Sequence, residues 1–395
     1  MKVTAFIGAR VVTPSEEIPA GVVVVQGSQI AGVYPDVDDF RQATGDIEAD
    51  EVKVDGLILC PGFIDIHIHG LAGGRVTDGP DAVARMCAEL PRFGVTSFLP
   101  TIGAEPLDRM EKAIHDVVEG SYAGASIAGI HLEGPFINSQ RRGAQREDAI
   151  IPPSVDVMAH LFGRAKGMLR LVTLAPELDG AGDVIKYLRE QDVVVAAGHS
   201  DATYAEMVNA FAAGVQLVTH TFNAMRPLQQ REPGVVGAAL AYDGAACEII
   251  ADLIHVHPAV IEILLRCKGV DSVVVVTDGS EFTGLPDGSY TKADGRAVTV
   301  RDGRVELSGG TIAGSAAPMS RSVRNLRVEL GLGWSEVVKL VSANPARVIG
   351  LGDRKGSISP GKDGDLVFLD DGGEVHAAYV MGRLEYSRDS DWPAK

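Results

Sequence analysis

Cysteine is scarce: the 395-residue chain has four, Cys60, Cys87, Cys247 and Cys267. No two stand at the spacing of a metal knuckle or a redox dithiol, which removes both readings. Four unpaired thiols fit a reducing compartment, and each reads as a small buried hydrophobe. Long apolar runs are also missing. No segment approaches the ~18–20 residues that a membrane helix needs. The first apolar stretch is broken by Arg10 and followed by Glu16 and Glu17, a poor secretory leader. Basic charge is short as well: 36 Lys and Arg face 53 Asp and Glu, for a formal charge of −17. A nucleic-acid-binding surface needs a basic face, so that class is excluded. A few arginines can still hold a phosphate. The expectation is a soluble cytoplasmic protein with neither nucleic acid nor membrane as partner.

What is abundant is glycine, 46 residues, within a chain that is 46% hydrophobic. That mixture suggests many tight turns between short elements. The first residues read as β, with Val22 to Val25 and Ile30 to Val33 flanking a turn. From residue 57 short apolar runs alternate with amphipathic stretches. The runs are 57–67, 95–101, 126–132, 169–174, 193–197, 215–219, 246–253 and 272–277. Between them lie segments with apolar residues three and four apart, such as 81–93, 106–119, 204–213 and 258–268. In the last, Val260, Ile263, Leu264 and Cys267 form one face. The stretch 234–243 is less clearly helical. Eight strands alternating with helices imply a parallel sheet, and eight is the number that closes a barrel. After the eighth, 290–307 reads as an inserted hairpin with turns at Asp294-Gly295 and Asp302-Gly303. Two helices follow, 319–330 and 335–348, with Ser335 as N-cap, and the C-terminus returns to β. The expected fold is α/β: a (β/α)8 TIM-like barrel over 57–355, with a small β-sandwich domain built from 1–56 and 356–395.

In such barrels the reactive groups project from the carboxyl ends of the strands. Seven of the ten histidines fall there. Strand one ends in His67 and His69, strand three in His131 and Glu133, strand five in His199 and strand six in His220. Strand seven ends in His255 and His257, and strand eight in Asp278. One such histidine alone is ordinarily a satisfied polar residue. Several imidazoles and carboxylates at one mouth are costly to bury, on the order of 1–3 kcal/mol for each unpaired group. A divalent cation removes that cost by coordination. Residues i and i+2 of a strand face the same way, so His67 and His69 can bind one ion. Glu133 can be terminal or bridging.

The residues that carry these ends resemble a known family. Pro61-Gly62-Phe63-Ile64-Asp65-Ile66-His67-Ile68-His69-Gly70 is similar to the first barrel strand of the amidohydrolase superfamily. His131-Leu132-Glu133-Gly134-Pro135-Phe136, Gly198-His199-Ser200 and Thr219-His220-Thr221-Phe222-Asn223-Ala224-Met225 narrow the resemblance, as do Arg231-Glu232-Pro233-Gly234 and Ile250-Ala251-Asp252-Leu253-Ile254-His255-Val256. Together they resemble the N-acetylglucosamine-6-phosphate deacetylase family over nearly the whole chain. The resemblance implies that Glu133, His199 and His220 hold a catalytic metal and that His67 and His69 supply a second position. It implies one or two divalent ions per subunit, zinc foremost, with iron, manganese or cobalt as alternatives. It makes Asp278 the general base and then the acid. Asn223, Ala224, Arg231 and His255 match positions that grip a phosphorylated N-acetyl amino sugar. The arginine would reach in from a neighbouring subunit, which implies a homodimer.

Three departures fall where the sugar would touch. Gln145 stands where the family usually has a histidine. Gly279-Ser280-Glu281-Phe282 replaces smaller residues after the aspartate. Ala313-Gly314-Ser315-Ala316-Ala317-Pro318-Met319 differs from the usual Leu-Thr before Met. Gln145 and Met319 are therefore candidate substrate contacts, with packing the favoured reading for Met319. Asp65 and His131 read as residues that orient the ligands. Rival readings are the N-acetylgalactosamine 6-phosphate epimer, another N-acyl amino sugar, a cyclic amidase and a non-catalytic relative. A cyclic amidase would bridge two metals with a carbamylated lysine at the end of strand four. Here that end reads Thr173-Leu174-Ala175-Pro176-Glu177, without a lysine.

Overall fold

Strands buried on both faces of a sheet read as continuous apolar runs, and eight such strands form the centre of the molecule. The computed structural model describes residues 2–45, 48–292, 295–307, 312–390 and 392. We number the barrel strands β1 (Phe63–Ile68), β2 (Val95–Ile102), β3 (Ile130–Glu133), β4 (Leu169–Leu174), β5 (Val194–Ala197), β6 (Leu217–Val218), β7 (Ala246–Ile250) and β8 (Val273–Val276). Each pairs in parallel with the next. Asp278 N donates to His67 O at 2.9 Å, and His69 N and Gly70 N both donate to Gly279 O, which brings the end of β8 against β1. Ile64, Ile66, Leu171, Leu217, Val274 and Val276 fill the interior together with Ala346 and Ile349. Asn344 Nδ2 donates to Val270 O and Val273 O at the start of β8, so this last helical stretch plugs the amino-terminal end. The carboxyl ends stay open for chemistry.

Seven helices lie between the strands, among them Gly234–Ala241. Six of its eight residues are buried, which is why the sequence shows no polar face there. In Pro258–Lys268 the buried face is Ile261, Leu264 and Lys268, while Ile263 and Cys267 are exposed. This corrects the expected face. Lys268 buries its stem and donates through Nζ to Tyr242 O, so apolar residues alone set the helix phase wrongly. Gly333, not Ser335, caps the helix Trp334–Val338, and its N–H donates to Glu336 Oε2 at 2.8 Å.

The expected first strand is two. Ile58–Pro61 leaves the barrel and joins the terminal sheet, between Val3–Val12 (parallel) and Leu366–Leu369 (antiparallel). The C-terminal strands thus meet the N-terminal ones through Ile58–Pro61, in one eight-stranded sheet separate from the barrel. Gly62 makes the switch: a Cβ there would sit 2.0 Å from Thr96 Oγ1. The inserted hairpin is a four-stranded antiparallel sheet over Gly288–Thr291, Ala297–Arg301, Arg304–Leu307 and Ile312–Ser315. Its Asp302-Gly303 turn has positive φ at both residues, 49° and 79°, as a tight hairpin requires. Asp294, expected in the other turn, lies outside the described residues.

Candidate metal centre and its cavity

Six side chains from five strand ends converge. His67 is in β1, with His69 just beyond it, and Glu133 ends β3. His199 and His220 follow β5 and β6, and Asp278 follows β8. His199, His220 and Asp278 hold positive φ, at 47°, 27° and 47°. For non-glycine residues this is sparsely populated backbone, sustained here by the barrel rim. Glu133 Oε1 lies 3.0 Å from His199 Nε2, 3.1 Å from His220 Nε2 and 3.2 Å from His67 Nε2. Its Oε2 lies 3.0 Å from His69 Nε2. Asp278 Oδ1 is 3.4 Å from both His67 Nε2 and His69 Nε2. Two groups whose ligand atoms lie within 4.8 Å of one another result: His67, His69 and Glu133, and Glu133, His199 and His220. Glu133 belongs to both.

These residues fit a cation, and the tautomers show why. His199 Nδ1 faces Arg141 O at 2.9 Å, and His67 Nδ1 faces Glu248 Oε2 at 3.0 Å. Both partners accept, so each Nδ1 carries a proton and each Nε2 is turned toward Glu133, where a cation can take the place of a second proton. Lone pairs aimed at a carboxylate repel unless positive charge sits between them. The field agrees. Burial lowers the proton affinity of His67 and His69, but Glu133 and Asp278 beside both, and Glu248 beside His67, outweigh it, holding His67 well above its ordinary value and His69 at about 9. Burial raises Glu133, and the surrounding imidazoles pull it well below the carboxylate range. An environment that favours protons on imidazoles next to ionised carboxylates favours a divalent ion there.

The layer beneath is polar and closed on itself. His131 sits between Thr101 Oγ1 (3.2 Å) and Thr173 Oγ1 (2.9 Å), and Thr173 meets Thr219 at 2.8 Å. Burial holds His131 well below its ordinary value, so it stays neutral. Asp65 accepts from Thr277 Oγ1 at 2.5 Å and from the N–H of His67 and of Thr277, which ties β1 to β8 under the centre.

Above it lies a cavity of about 1120 Å³. His69, Glu133, His199, His220 and Asp278 reach its floor, and Asn223, Ala224, His255 and Gln145 line it too. His67 is fully buried behind its neighbours. His255 Nδ1 lies 2.7 Å from Asp252 Oδ2. Burial alone would lower His255, but the hydrogen bond and charge of Asp252 raise it. Gln145 accepts from Ala104 N at 2.9 Å and donates through Nε2 to Glu133 Oε2, so it braces the shared carboxylate. Two candidate substrate contacts are not brought here. Met319 is 1% exposed and packed in the main core, because it opens a helix whose apolar side faces the barrel. Arg231 is exposed on the loop before Gly234–Ala241 and lies outside this cavity. Glu248 and Asp252 were not foreseen as members of the site. Asp252 carried a signal in standing three residues before His255.

A model of the amidohydrolase family matches residues 58–384. The chain is 36% identical over 389 residues to the N-acetylglucosamine-6-phosphate deacetylase of Bacillus subtilis (strain 168), covering 96% of this chain and 97% of that one. It is also 36% identical to the N-acetylgalactosamine-6-phosphate deacetylase of Escherichia coli O157:H7, over 84% of this chain and 88% of that one. Among solved structures it resembles a mutant N-acetyl-D-glucosamine-6-phosphate deacetylase from Mycobacterium smegmatis in complex with N-acetyl-D-glucosamine-6-phosphate. The TM-score is 0.89 at 30% identity, covering 98% of this chain and 100% of that one.

Proposed function

The chain belongs to the amidohydrolase family, and we propose that it is the metal-dependent enzyme that deacetylates N-acetylglucosamine 6-phosphate to glucosamine 6-phosphate and acetate. One observation carries this reading: Asp278 stands at the cavity floor beside two ligand sets that share Glu133. An amide is a poor electrophile and neutral water a poor nucleophile. A divalent ion held by Glu133, His199 and His220 supplies the acidity that activates water and polarises the carbonyl. Asp278, ionised and open to the cavity, takes a proton from the attacking water. It then returns that proton to the departing amine, whose loss as an anion would be slow. His67 and His69 give a second cation position. Zinc suits the imidazole and carboxylate set first, with iron, manganese and cobalt as alternatives.

Asn223, Ala224 and His255 orient the sugar phosphate, and Gln145 holds Glu133 within reach of the acetyl side. Arg231 acts in a homodimer. Its loop is exposed, and Leu228 beside it is 53% exposed. Glu232 Oε1 accepts from Tyr204 N at 2.7 Å, which joins the loop to a helix carrying the exposed Tyr204 and Val208. A second copy covering this apolar patch would receive Arg231 in its own cavity, where the guanidinium fork matches phosphate oxygens. A phosphorylated substrate and cysteines free of disulfides support a cytoplasmic reaction. Among the described residues no helix is long and apolar enough to cross a membrane.

The test is acetate release from N-acetylglucosamine 6-phosphate and from its galactose epimer, after metal reconstitution. The expected outcome is a higher kcat/KM for the glucose form, abolished by chelation. Preference for the epimer would move the substrate without changing the reaction. No acetate from either would overturn the reading.

A further inference from the structure

One carboxylate is sealed in the barrel wall with no lysine or arginine bonded to it among the described residues. Glu248 lies in β7 with no solvent exposure. Its Oε2 accepts from His67 Nδ1 at 3.0 Å and from His220 N at 3.1 Å, and Oε1 has no partner. Burying a charge this way is unfavourable unless it does something a neutral residue would not. Both of its contacts lead to the metal centre, one to an imidazole of the His67-His69 pair, the other to the backbone that carries His220.

We propose that Glu248 is the positioning residue for the second cation position. The inference rests on the metal-dependent reading above. A carboxylate oxygen 3.0 Å from Nδ1 accepts its hydrogen, which keeps that proton of His67 on Nδ1 and leaves Nε2 for the ion. Without it, the opposite tautomer would donate Nε2–H to Glu133 at the observed 3.2 Å and fill the place of the cation. The negative charge also makes the imidazole a stronger donor. Because the same oxygen holds His220 N, one side chain sets the spacing between the two half-sites.

The test titrates the metal-free protein with zinc by chelator competition and counts ions per chain by elemental analysis. Wild type, Glu248→Gln, Glu248→Leu and His67→Gln are compared, with circular dichroism of each metal-free protein. Glu248→Gln keeps an acceptor of the same size and loses the charge. Two ions are expected in the wild type. In Glu248→Gln the second should weaken by about 10–100-fold with the first unchanged. Glu248→Leu should match His67→Gln at one ion per chain. If Glu248→Leu does not fold, the glutamine variant decides alone. Equal weakening at both positions, no weakening at either, or a single ion in the wild type would overturn the proposal. A wild-type chain that takes no ion and releases no acetate overturns the metal-dependent reading beneath it, which tells the two failures apart.

Discussion

Asp278→Asn removes a single function and leaves its surroundings in place. Asn has the same shape, and its amide oxygen still accepts a hydrogen bond, but it cannot take up a proton at neutral pH. The backbone tolerates the change: Asp278 sits at φ 47°, a left-handed conformation that Asn visits more readily than Ala. The fold of the variant should therefore be kept. Asp278 Oδ1 lies 3.4 Å from His67 Nε2 and His69 Nε2, a long contact, and its side chain is 26% exposed toward the cavity. It is placed to exchange protons with a bound molecule more than to tether a ligand. General acid–base catalysis contributes typically ~10²–10⁴-fold, and a group used in both directions belongs at the upper end. The expected loss in kcat is about 10³–10⁴-fold, or roughly 4–5.5 kcal/mol in the barrier. Ions per chain, measured on the same preparation, should equal the wild type. Acetate release at full metal occupancy reads the rate. A kcat within tenfold of wild type would refute the proton-transfer role, and loss of an ion would recast Asp278 as a ligand.

Three further outcomes follow from the phosphate side. Arg231→Ala should raise KM for the 6-phosphate at least tenfold while leaving the unphosphorylated sugar unaffected; equal effects on both would remove the phosphate role. Mixing Arg231→Ala with an Asp278→Asn chain should restore part of the activity, since one kind of cavity then has both groups. Asp252→Asn tests the charge on His255. Asp252 raises the pKa of His255 against the effect of burial, so the imidazolium persists to higher pH than usual. KM for the phosphorylated sugar should rise as pH climbs through that value, and in Asp252→Asn the rise should begin at lower pH. An unchanged KM–pH profile would show that Asp252 does not govern His255.

The candidate ligands were legible because each stands where an apolar strand run ends, and a barrel gathers such ends at one rim. Glu248 was hidden inside a run that reads as a core strand. Its parity was visible all the same: Ala246 and Ile250, two residues either side, face the barrel interior, whereas Cys247 and Ile249 face the helices. A carboxylate on the inward register of a barrel strand is the signal that the apolar count conceals. The split of the first strand left a weaker trace. Pro61-Gly62 interrupts an otherwise continuous run, and only the approach of Thr96 explains why glycine stands there. Met319 packs in the core, and the helix at 258–268 shows why its expected face was wrong. Sequence shows which residues are apolar, but a helix's phase against its neighbours is settled by packing, and a buried lysine stem shifts it.

The chain-wide charge of −17 poses a harder problem than composition suggests, because the arginines around the cavity do not solve it. Arg75 is paired with Asp78 at 3.0 Å, Arg109 with Glu105 at 3.3 Å, Arg142 with Glu147 at 3.5 Å and Arg146 with Asp148 at 2.6 Å. Each pair is close to neutral from the distance of a bound sugar. At the floor, Glu133, Asp278 and Glu248 are three carboxylates. One divalent ion leaves that floor net negative, and two reverse its sign. The second ion would therefore do more than polarise a carbonyl: it would change the field met by a dianionic substrate. Glu248 adds to the negative count and, through His67, favours the ion that offsets it. Away from the floor, Arg231 stands outside its own chain's cavity. Brought by a second copy, its charge would enter a cavity where Arg75, Arg109, Arg142 and Arg146 are already paired. Beyond His255 and Lys292, which line the cavity, local positive charge in this acidic protein would then come from outside the folded chain, from ions and from a partner, and the net charge of the sequence says little about either.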